Sequence, residues 1–240
     1  MTRFTSWAAT DPGAVRKHNE DNMLSRPELG LWAVADGAGG HESGEVAAAR
    51  IVAALAALPA ALAARELPGA VAAAVVEAHE DLRALAASRE GGGMIASTFV
   101  GLLLDETGYI CLWAGDSRAY RFRGGALLPI SRDHSLVQEL VDRGALAAAE
   151  AEHHPHANII TRAVGAPGAA LELAEVTGDC RPGDRFLLCS DGLTKALSEP
   201  EIAALLAAPD EPAPAARLIE AALARRARDN VTAIIIDASV

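Results

Sequence analysis

The fold is decided by residues 97–123, which read STFVGLLLDETGYICLWAGDSRAYRFR. This stretch contains three short apolar runs, at 97–104, 109–114 and 119–123, and turn-forming residues fill the gaps between them. Short apolar runs separated by Gly, Asp and Ser are typical of β-strands joined by tight turns. We therefore predict three strands that pair in order as an antiparallel meander.

The rest of the chain shows the same grouping, because predicted strands and helices occur in runs rather than in strict alternation. Such runs favour an α+β domain with antiparallel sheets over a doubly wound parallel fold. Further strands are predicted at 29–35, 171–176, 184–189 and 231–237. Helices are predicted at 45–58, 69–87, 133–143 (with Asp133 as its N-cap), 199–207 and 215–228.

Length and charge are those of an ordinary globular domain. The chain has 240 residues, and 21 Lys and Arg against 32 Asp and Glu give a formal charge of −11. That length suits one domain over residues 1–240. The acidic balance argues against nucleic acid or an anionic membrane as the main partner, since both bind clusters of Lys and Arg.

The cysteines and the N-terminal residues indicate the cellular compartment in which we expect the protein. Cys111, Cys180 and Cys189 form no CxxC pair, which argues against a disulfide framework or a zinc ribbon and favours a reducing compartment. Residues 1–13 contain no apolar leader, and the Ala-rich stretch 46–64 is better explained by two helices than by a membrane span. We therefore expect a cytoplasmic protein.

Several acidic residues lie where predicted strands begin or end. Strand ends meet at the edge of a sheet, so these carboxylates can converge, and they repel one another unless a cation or a proton intervenes. Carboxylates without nearby thiolates or imidazoles are ligands for Mg²⁺ or Mn²⁺ rather than Zn²⁺. Each Asp alone is also typical of a turn or a helix cap. The residues in question are Glu20, Asp21, Asp36, Asp116, Asp191 and Asp229.

Two neighbouring residues fit the same kind of site. Gly37 could offer its carbonyl oxygen to a cation beside Asp36. Arg16 lies four residues before Glu20, and its planar guanidinium group matches the oxygens of a phosphate. An ordinary surface arginine is the alternative.

Other motifs point to different chemistry but are weaker. Residues 35–41, ADGAGGH, lack the pattern of a nucleotide-binding loop. The histidines of 153–156 could bind zinc, although no flanking set of Cys, Asp or Glu completes a site, and a surface loop explains them as well. The G-x-S-x-G elbow of a serine hydrolase does not occur.

Seven stretches, in this order, resemble the metal-dependent protein phosphatase family of type 2C, particularly its compact bacterial members. One such motif would be weak evidence, but seven in the order of the family are highly specific. They are RKHNEDN (16–22), VADGAGGH (34–41), WAGDSRAY (113–120), RDHSLV (132–137), IITRAVG (159–165), LCSDGL (188–193) and RDNVT (228–232).

The resemblance implies a four-layer α-β-β-α sandwich, in which helices flank two antiparallel sheets and the metal site lies at one end. It also implies two Mn²⁺ or Mg²⁺ ions as cofactors. Asp36 would bridge both ions, and Gly37 would contribute its carbonyl oxygen. Asp191 and Asp229 would complete the second ion.

The resemblance assigns roles to the other candidates. Glu20 and Asp21 would lie in or just outside the ligand shell of the metal ions. Which of the two binds a metal ion directly and which binds through water is left open. Asp116, with Asp191, would hold a third, weaker metal ion. Arg16 would bind the phosphate group.

A flap beside the site corresponds to residues 144–167 and is implied to affect substrate choice. The sequence departs from the family at two places. Ala38 stands where eukaryotic members often have His, so its side chain cannot donate a proton, and His41 does not inherit that role. The stretch 94–98, MIAST, replaces a Gly-Thr or Gly-Ser-Thr segment, which we interpret as strand packing with little bearing on the chemistry.

The implied activity is hydrolysis of phosphoserine and phosphothreonine on proteins by a metal-activated water, without a phosphoenzyme. The implied partners are phosphorylated proteins and a bacterial Ser/Thr kinase that the enzyme opposes, including kinases that control type VI secretion, and we expect a monomer. The alternatives are a non-catalytic relative that binds phosphoproteins and a small-molecule phosphomonoesterase that uses the same metal site.

Overall fold

The computed structural model describes residues 3–38, 43–89, 93–151, 154–168, 170–208 and 212–239. Within these ranges the chain forms eleven strands and seven helices. The strands are β1 (Arg3–Asp11), β2 (Asp21–Arg26), β3 (Leu31–Ala38), β4 (Ala96–Ser97), β5 (Phe99–Leu104), β6 (Tyr109–Ala114), β7 (Arg118–Arg123), β8 (Ala126–Pro129), β9 (Ala174–Gly178), β10 (Arg185–Cys189) and β11 (Val231–Ser239). The helices are α1 (Ser43–Ala56), α2 (Leu67–Ser88), α3 (Leu136–Asp142), α4 (Ala148–Ala151), α5 (Asp191–Ala196), α6 (Glu199–Leu206) and α7 (Pro214–Ala224).

Two antiparallel sheets stack face to face. Sheet I has the strand order β1-β11-β10-β7-β8. Sheet II has the order β2-β3-β5-β6-β9, and the short β4 pairs with β3. Because β11 lies between β1 and β10, sheet I joins two segments that are far apart in the sequence.

The hydrophobic core has three layers. Side chains such as Trp32, Phe186 and Ile234 fill the space between the sheets. The outer face of sheet II is covered by α1 and α2, and that of sheet I by α5, α6 and α7. Consecutive residues of β11 serve different layers, since Ile234 faces sheet II while Ile235 faces the helices. The predicted α+β class and the four-layer α-β-β-α sandwich are therefore confirmed.

Small residues bring the start of α1 close to the end of β3. A Cβ atom added to Gly37 would lie 2.3 Å from the carbonyl oxygen of Gly44, and one added to Gly44 would lie 2.8 Å from the carbonyl carbon of Gly37. No side chain fits between these two backbones. The buried residues of α1 recur every three or four positions, as one face of a helix does, and they are Gly44, Ala47, Ala48, Ile51 and Leu55.

The predicted three-stranded meander is wrong in its last member. The strands β5 and β6 pair as expected, but β7 belongs to sheet I, where it pairs with β10 and β8. The chain crosses from one sheet to the other at 115–117, and Gly115 there has φ +119°, in a region that favours glycine. Local patterns indicate strands, but they do not indicate a partner about 65 residues further along the chain.

Other boundaries also differ from the predictions. The third predicted helix, 133–143, is α3, and Ser135 rather than Asp133 caps it, because the hydroxyl of Ser135 accepts the backbone N–H of Gln138 at 3.3 Å. The strand predicted at 171–176 is β9, which begins and ends later. The sequence patterns did not predict β1, β8, α4 or α5, and they gave no bounds for β2.

The prediction of two helices within the Ala-rich stretch 46–64 is wrong, since α1 ends at Ala56 and the next helix, α2, begins only at Leu67. In the part of the chain that the structure describes, no helix is long and apolar enough to cross a membrane.

Candidate functional site

One end of the sandwich gathers acidic residues from both sheets. Sheet II supplies Asp21, the first residue of β2, and Asp36, near the end of β3. Sheet I supplies Asp191, which follows β10 after one residue, and Asp229, which precedes β11 by one residue. Asp116 lies in the crossing between β6 and β7. The structure thus brings to one edge five of the acids that the sequence singled out.

Asp21 and Asp36 are direct cross-strand neighbours on β2 and β3. Two negative charges in this position repel each other. Burial raises the pKa of Asp36 well above its ordinary value, and the nearby charges of Asp21 and Asp191 raise it further. Burial also raises the pKa of Asp21, to about 6. A divalent cation between these groups would relieve the repulsion.

Hydroxyl groups from sheet I support Asp21. Its Oδ2 accepts hydrogen bonds of 2.7 Å from Ser190 Oγ and from Thr232 Oγ1. Both bonds favour the ionised carboxylate and so lower its pKa against the effect of burial. Thr10 forms a further 2.7 Å hydrogen bond with Thr232. Sequence reasoning missed these supporting residues, although Ser190 and Thr232 lie within the quoted motifs.

The backbone of Asp36 is held by the segment 94–98. The N–H of Asp36 donates to Thr98 Oγ1 at 3.1 Å, and its carbonyl oxygen accepts from Ser97 Oγ at 2.9 Å and from the N–H of Thr98 at 2.8 Å. This segment does pack as a strand, because Ala96 and Ser97 form β4 on β3, and the same segment also holds the backbone of Asp36. It positions the residue at the centre of the acidic cluster.

Glu20 and Gly37 are fixed to each other and to the start of β11. The N–H of Gly37 donates to the carbonyl oxygen of Glu20 at 3.2 Å, and the N–H of Glu20 donates to Asn230 Oδ1 at 2.8 Å. The amide group of Asn230 donates in turn to the carbonyl oxygens of Pro12 and His18, both at 2.9 Å. Asn230 therefore joins the loop before β2 to sheet I beside Asp229.

Asp116 is buried on the other side of the cluster. Burial, followed by the charges of Asp191 and Asp133, raises the pKa of Asp116 to about 7. Asp133 is itself held by Arg118 in a two-pronged ion pair of 2.7 and 2.8 Å. This ion pair is the reason why Asp133 does not cap α3. A cavity of about 370 Å³ opens beside Asp116 and also exposes Asp191.

Two cations contact the acids at the mouth of the site. Arg16, with 55% of its side chain exposed, pairs with both oxygens of Asp229, at 2.9 and 3.0 Å. Lys195 pairs with Asp191 one helical turn earlier. The predicted phosphate-binding arginine therefore lies at the rim of the acidic cluster, with its guanidinium group directed at a predicted metal ligand.

The donor set fits a hard divalent cation. Among the described residues, Asp21 Oδ1 and Asp116 Oδ1 are buried without a hydrogen-bond partner, and such oxygens need a cation or a proton. Within the same ranges no three acidic, His or Cys side chains already surround one point.

The histidine-rich segment reaches the same cavity, because His154 lines it together with Asp116 and Asp191. The rings of His154 and His156 are 5.4 Å apart, and the described residues form no zinc cluster there. His153, and Gly39, Gly40 and His41 of the motif at 34–41, lie outside the described residues.

Comparisons with known proteins identify a family. The sequence model of protein phosphatase 2C matches residues 15–225. The serine/threonine protein phosphatase PstP of Mycobacterium tuberculosis is 38% identical over 240 residues, which cover 96% of this chain but 44% of PstP. This chain therefore spans less than half the length of that curated relative.

Solved structures of similar proteins share the architecture. PppA of Pseudomonas aeruginosa, described as a key regulatory component of T6SS, is 42% identical with a TM-score of 0.89, and the match covers 99% of this chain and 100% of PppA. The catalytic domain of PstP in complex with two manganese ions is 34% identical with a TM-score of 0.90, and the match covers 100% of both chains. The acidic edge, the sandwich and these similarities lead to one assignment: the chain belongs to the protein phosphatase 2C family.

Proposed function

We propose that this protein is a metal-dependent protein phosphatase that hydrolyses phosphoserine and phosphothreonine on proteins. The observation that carries the proposal is the cross-strand pair of Asp21 and Asp36, which interacts with the charges of Asp191 and Asp229 and in which the buried Asp21 has an unpartnered carboxylate oxygen. Its relatives include a named serine/threonine protein phosphatase, and the matching structure with two manganese ions supports two metal ions here.

The chain offers the following residues to Mn²⁺ or Mg²⁺. Asp36 and the carbonyl oxygen of Gly37 would hold the central ions, with Asp191 and Asp229 from sheet I. Bound divalent ions supply an activated water as the nucleophile and offset the charge of the phosphate oxygens. The acids that complete the set are Glu20 and Asp21 for the same two ions, and Asp116, with Asp191, for a third ion.

The other side chains orient the substrate and set the charge of the ligands. Arg16 would exchange its ion pair with Asp229 for the phosphate oxygens, which its planar guanidinium group matches. Ser190 and Thr232 favour the ionised form of Asp21. Ala38 carries no titratable group, so that side chain does not supply the proton for the leaving oxygen.

The substrates and partners that we propose are phosphorylated proteins and the Ser/Thr kinase that modifies them. The similarity to PppA supports a place in the regulation of type VI secretion. We also propose that residues 1–240 form one catalytic domain with a flap at 144–167, and that the protein is a cytoplasmic monomer.

The test is the loss of metal-dependent hydrolysis when single ligands are changed. We expect Asp36→Asn and Asp191→Asn to lower Mn²⁺-dependent hydrolysis of p-nitrophenyl phosphate by at least about 10³-fold, since each removes charge where the cations bind. Asp81→Asn is the matched control, because Asp81 is half exposed on α2 and pairs with Arg50. Activity retained by both ligand variants would contradict the assignment.

The substrate class is tested separately. A phosphothreonine peptide should be hydrolysed with a higher kcat/KM than free sugar phosphates. The reverse order would indicate a small-molecule phosphomonoesterase, and no turnover of either would indicate a non-catalytic relative.

A further inference from the structure

A groove beside the candidate metal site is lined by arginines. We call it the arginine groove, and its volume is about 540 Å³. On the basis of the phosphatase activity proposed above, we propose that this groove binds an anionic side chain, a carboxylate or a second phosphate, that flanks the phosphorylated residue of the substrate. The lining residues used below are Gly192, Lys195, Arg225, Arg226, Arg228 and Asp229.

The groove lies next to the candidate metal site. Its wall includes the predicted metal ligand Asp229 and also Gly192, the neighbour of Asp191. Lys195 and Asn158 line both this groove and the cavity beside Asp116, so the two depressions adjoin. Consecutive residues of a peptide are about 3.8 Å apart. A side chain one to three residues from the phosphorylated one can therefore enter the groove.

Among the described residues, two arginines of the groove, Arg226 and Arg228, have no counter-ion. Arg225 pairs with Glu201, and Lys195 pairs with Asp191. Across the described ranges, neither Arg226 nor Arg228 forms an ion pair or a side-chain hydrogen bond, and both are exposed. They are the charges that remain available to a ligand.

The arginines of the groove are positively charged, whereas the protein as a whole is negatively charged. The chain carries −11 overall, so an anionic peptide is repelled by most of the surface. A local group of cations in a concave wall attracts such a peptide and directs it to one place. The guanidinium fork also matches both carboxylate and phosphate, which makes these two groups the expected ligands.

The backbone conformation at Arg226 allows a substitution that removes the positive charge without straining the chain. Its φ is +57°, in the left-handed region where glycine is favoured, and it is the one non-glycine residue with positive φ in the described chain. Arg226→Gly therefore removes the cation and keeps a backbone that suits the position. Arg228→Gln removes the second cation and keeps a long polar side chain.

The experiment compares three phosphothreonine peptides that differ in one flanking residue, namely Ala, Glu or phosphoserine in a non-hydrolysable phosphonate form, placed in turn on each side. With Mn²⁺-loaded wild type we expect kcat/KM to be about tenfold higher for the Glu and phosphoserine peptides than for the Ala peptide, mainly through KM, on at least one side. The double variant Arg226→Gly, Arg228→Gln should reduce this preference to less than about twofold. A preference for phosphoserine alone would assign the ligand as a second phosphate, and a preference for both would assign anions generally.

The matched control is Arg65→Gln, because the side chain of Arg65 is 86% exposed and lies outside the groove. It should keep the wild-type preference. Equal kcat/KM values for the Ala, Glu and phosphoserine peptides in wild type would overturn the proposal, and so would a preference that survives in the double variant.

A binding measurement separates this proposal from the phosphatase activity. Fluorescein-labelled peptides with a non-hydrolysable phosphonate at the centre are titrated with Mn²⁺-loaded protein and followed by fluorescence anisotropy. Tighter binding of the Glu-flanked peptide, lost in the double variant, supports the groove even if no phosphopeptide is hydrolysed. Equal binding of the Glu-flanked and Ala-flanked peptides overturns it even if both are hydrolysed.

Discussion

Asp21 depends on hydroxyl groups from the opposite sheet for its negative charge. The two hydrogen bonds from Ser190 and Thr232 lower its pKa, whereas burial raises it to about 6. A carboxylate must be ionised to hold a metal ion. Loss of one hydroxyl should therefore raise the pKa of Asp21 and weaken metal binding most strongly at low pH.

We expect Thr232→Val to raise the Mn²⁺ concentration for half-maximal hydrolysis of p-nitrophenyl phosphate by about tenfold at about pH 6.5, and by less at about pH 8. Metal titrations of the activity at the two pH values measure the effect. Thr10→Val is the matched control, since Thr10 contacts the hydroxyl of Thr232 and not Asp21. A Mn²⁺ requirement that does not depend on pH in Thr232→Val would contradict this role.

The motifs of the sequence predicted the acids of the site but not the residues that hold them. Asp36 and Asp191 stand out because Asp-Gly follows an apolar run. Thr98 and Thr232 have no such signal, because each is a threonine beside an apolar run, Thr98 between β4 and β5 and Thr232 within β11. Their role depends on strand register across two sheets, which a local pattern does not contain.

Among the elements, α5 shows how backbone contact positions a ligand. Gly192 follows Asp191 in this helix, and a Cβ atom added there would lie 1.9 Å from the carbonyl oxygen of Asn230. Only glycine lets α5 approach the segment before β11 so closely. This contact joins the neighbour of Asp191 to the neighbour of Asp229, and so it brings the two acids towards each other.

We expect Gly192→Ala to lower the free energy of unfolding by about 1–3 kcal/mol, because the methyl group forces α5 away from Asn230. Gly69→Ala is the control, since Gly69 lies in α2 with no atom within 4 Å of the added Cβ. That change should stabilise the protein by up to about 1 kcal/mol through helix propensity. Urea unfolding measures both, and equal effects of the two substitutions would show that the contact at Gly192 is unimportant.

Most of the strands were predictable from the sequence, although β1 and β8 were not, and the pairing of the strands was not predictable. The apolar runs at 109–114 and 119–123 are both strands, but they lie in different sheets. Pairing of β7 with β10 places Tyr120 opposite Leu187. Contacts between residues so far apart in the sequence depend on the packing of the whole sandwich.

For the molecule as a whole, the acidic cluster makes stability depend on pH. Folding raises the pKa of Asp21 from 3.8 to about 6 and that of Asp116 from 3.8 to about 7. The folded protein therefore binds more protons than the unfolded chain between about pH 4 and pH 7. The stability that these two groups contribute is complete below about pH 4 and is lost as the pH rises through their folded pKa values.

We expect the Tm in EDTA to be about 5 °C lower at about pH 7.5 than at about pH 5. Saturating MnCl₂ should remove most of the difference, because a bound cation stabilises the ionised form. Differential scanning calorimetry of wild type and of Asp116→Asn tests this, and the variant should show a smaller dependence. A Tm in EDTA that rises with pH over this interval would contradict the expectation.

The long separation between the two halves of the site has a consequence for protein synthesis. Asp21 and Thr232 share a hydrogen bond across 211 positions of the chain, and Arg16 and Asp229 form one across 213. At about 5–20 residues per second, roughly 10–40 s pass on the ribosome between the synthesis of the two halves. During that interval the nascent chain carries β2 and β3 without the acids and hydroxyls of sheet I. A copy that stops before residue 229 lacks Asp229 and Thr232, so the acidic edge of the sandwich is incomplete in it.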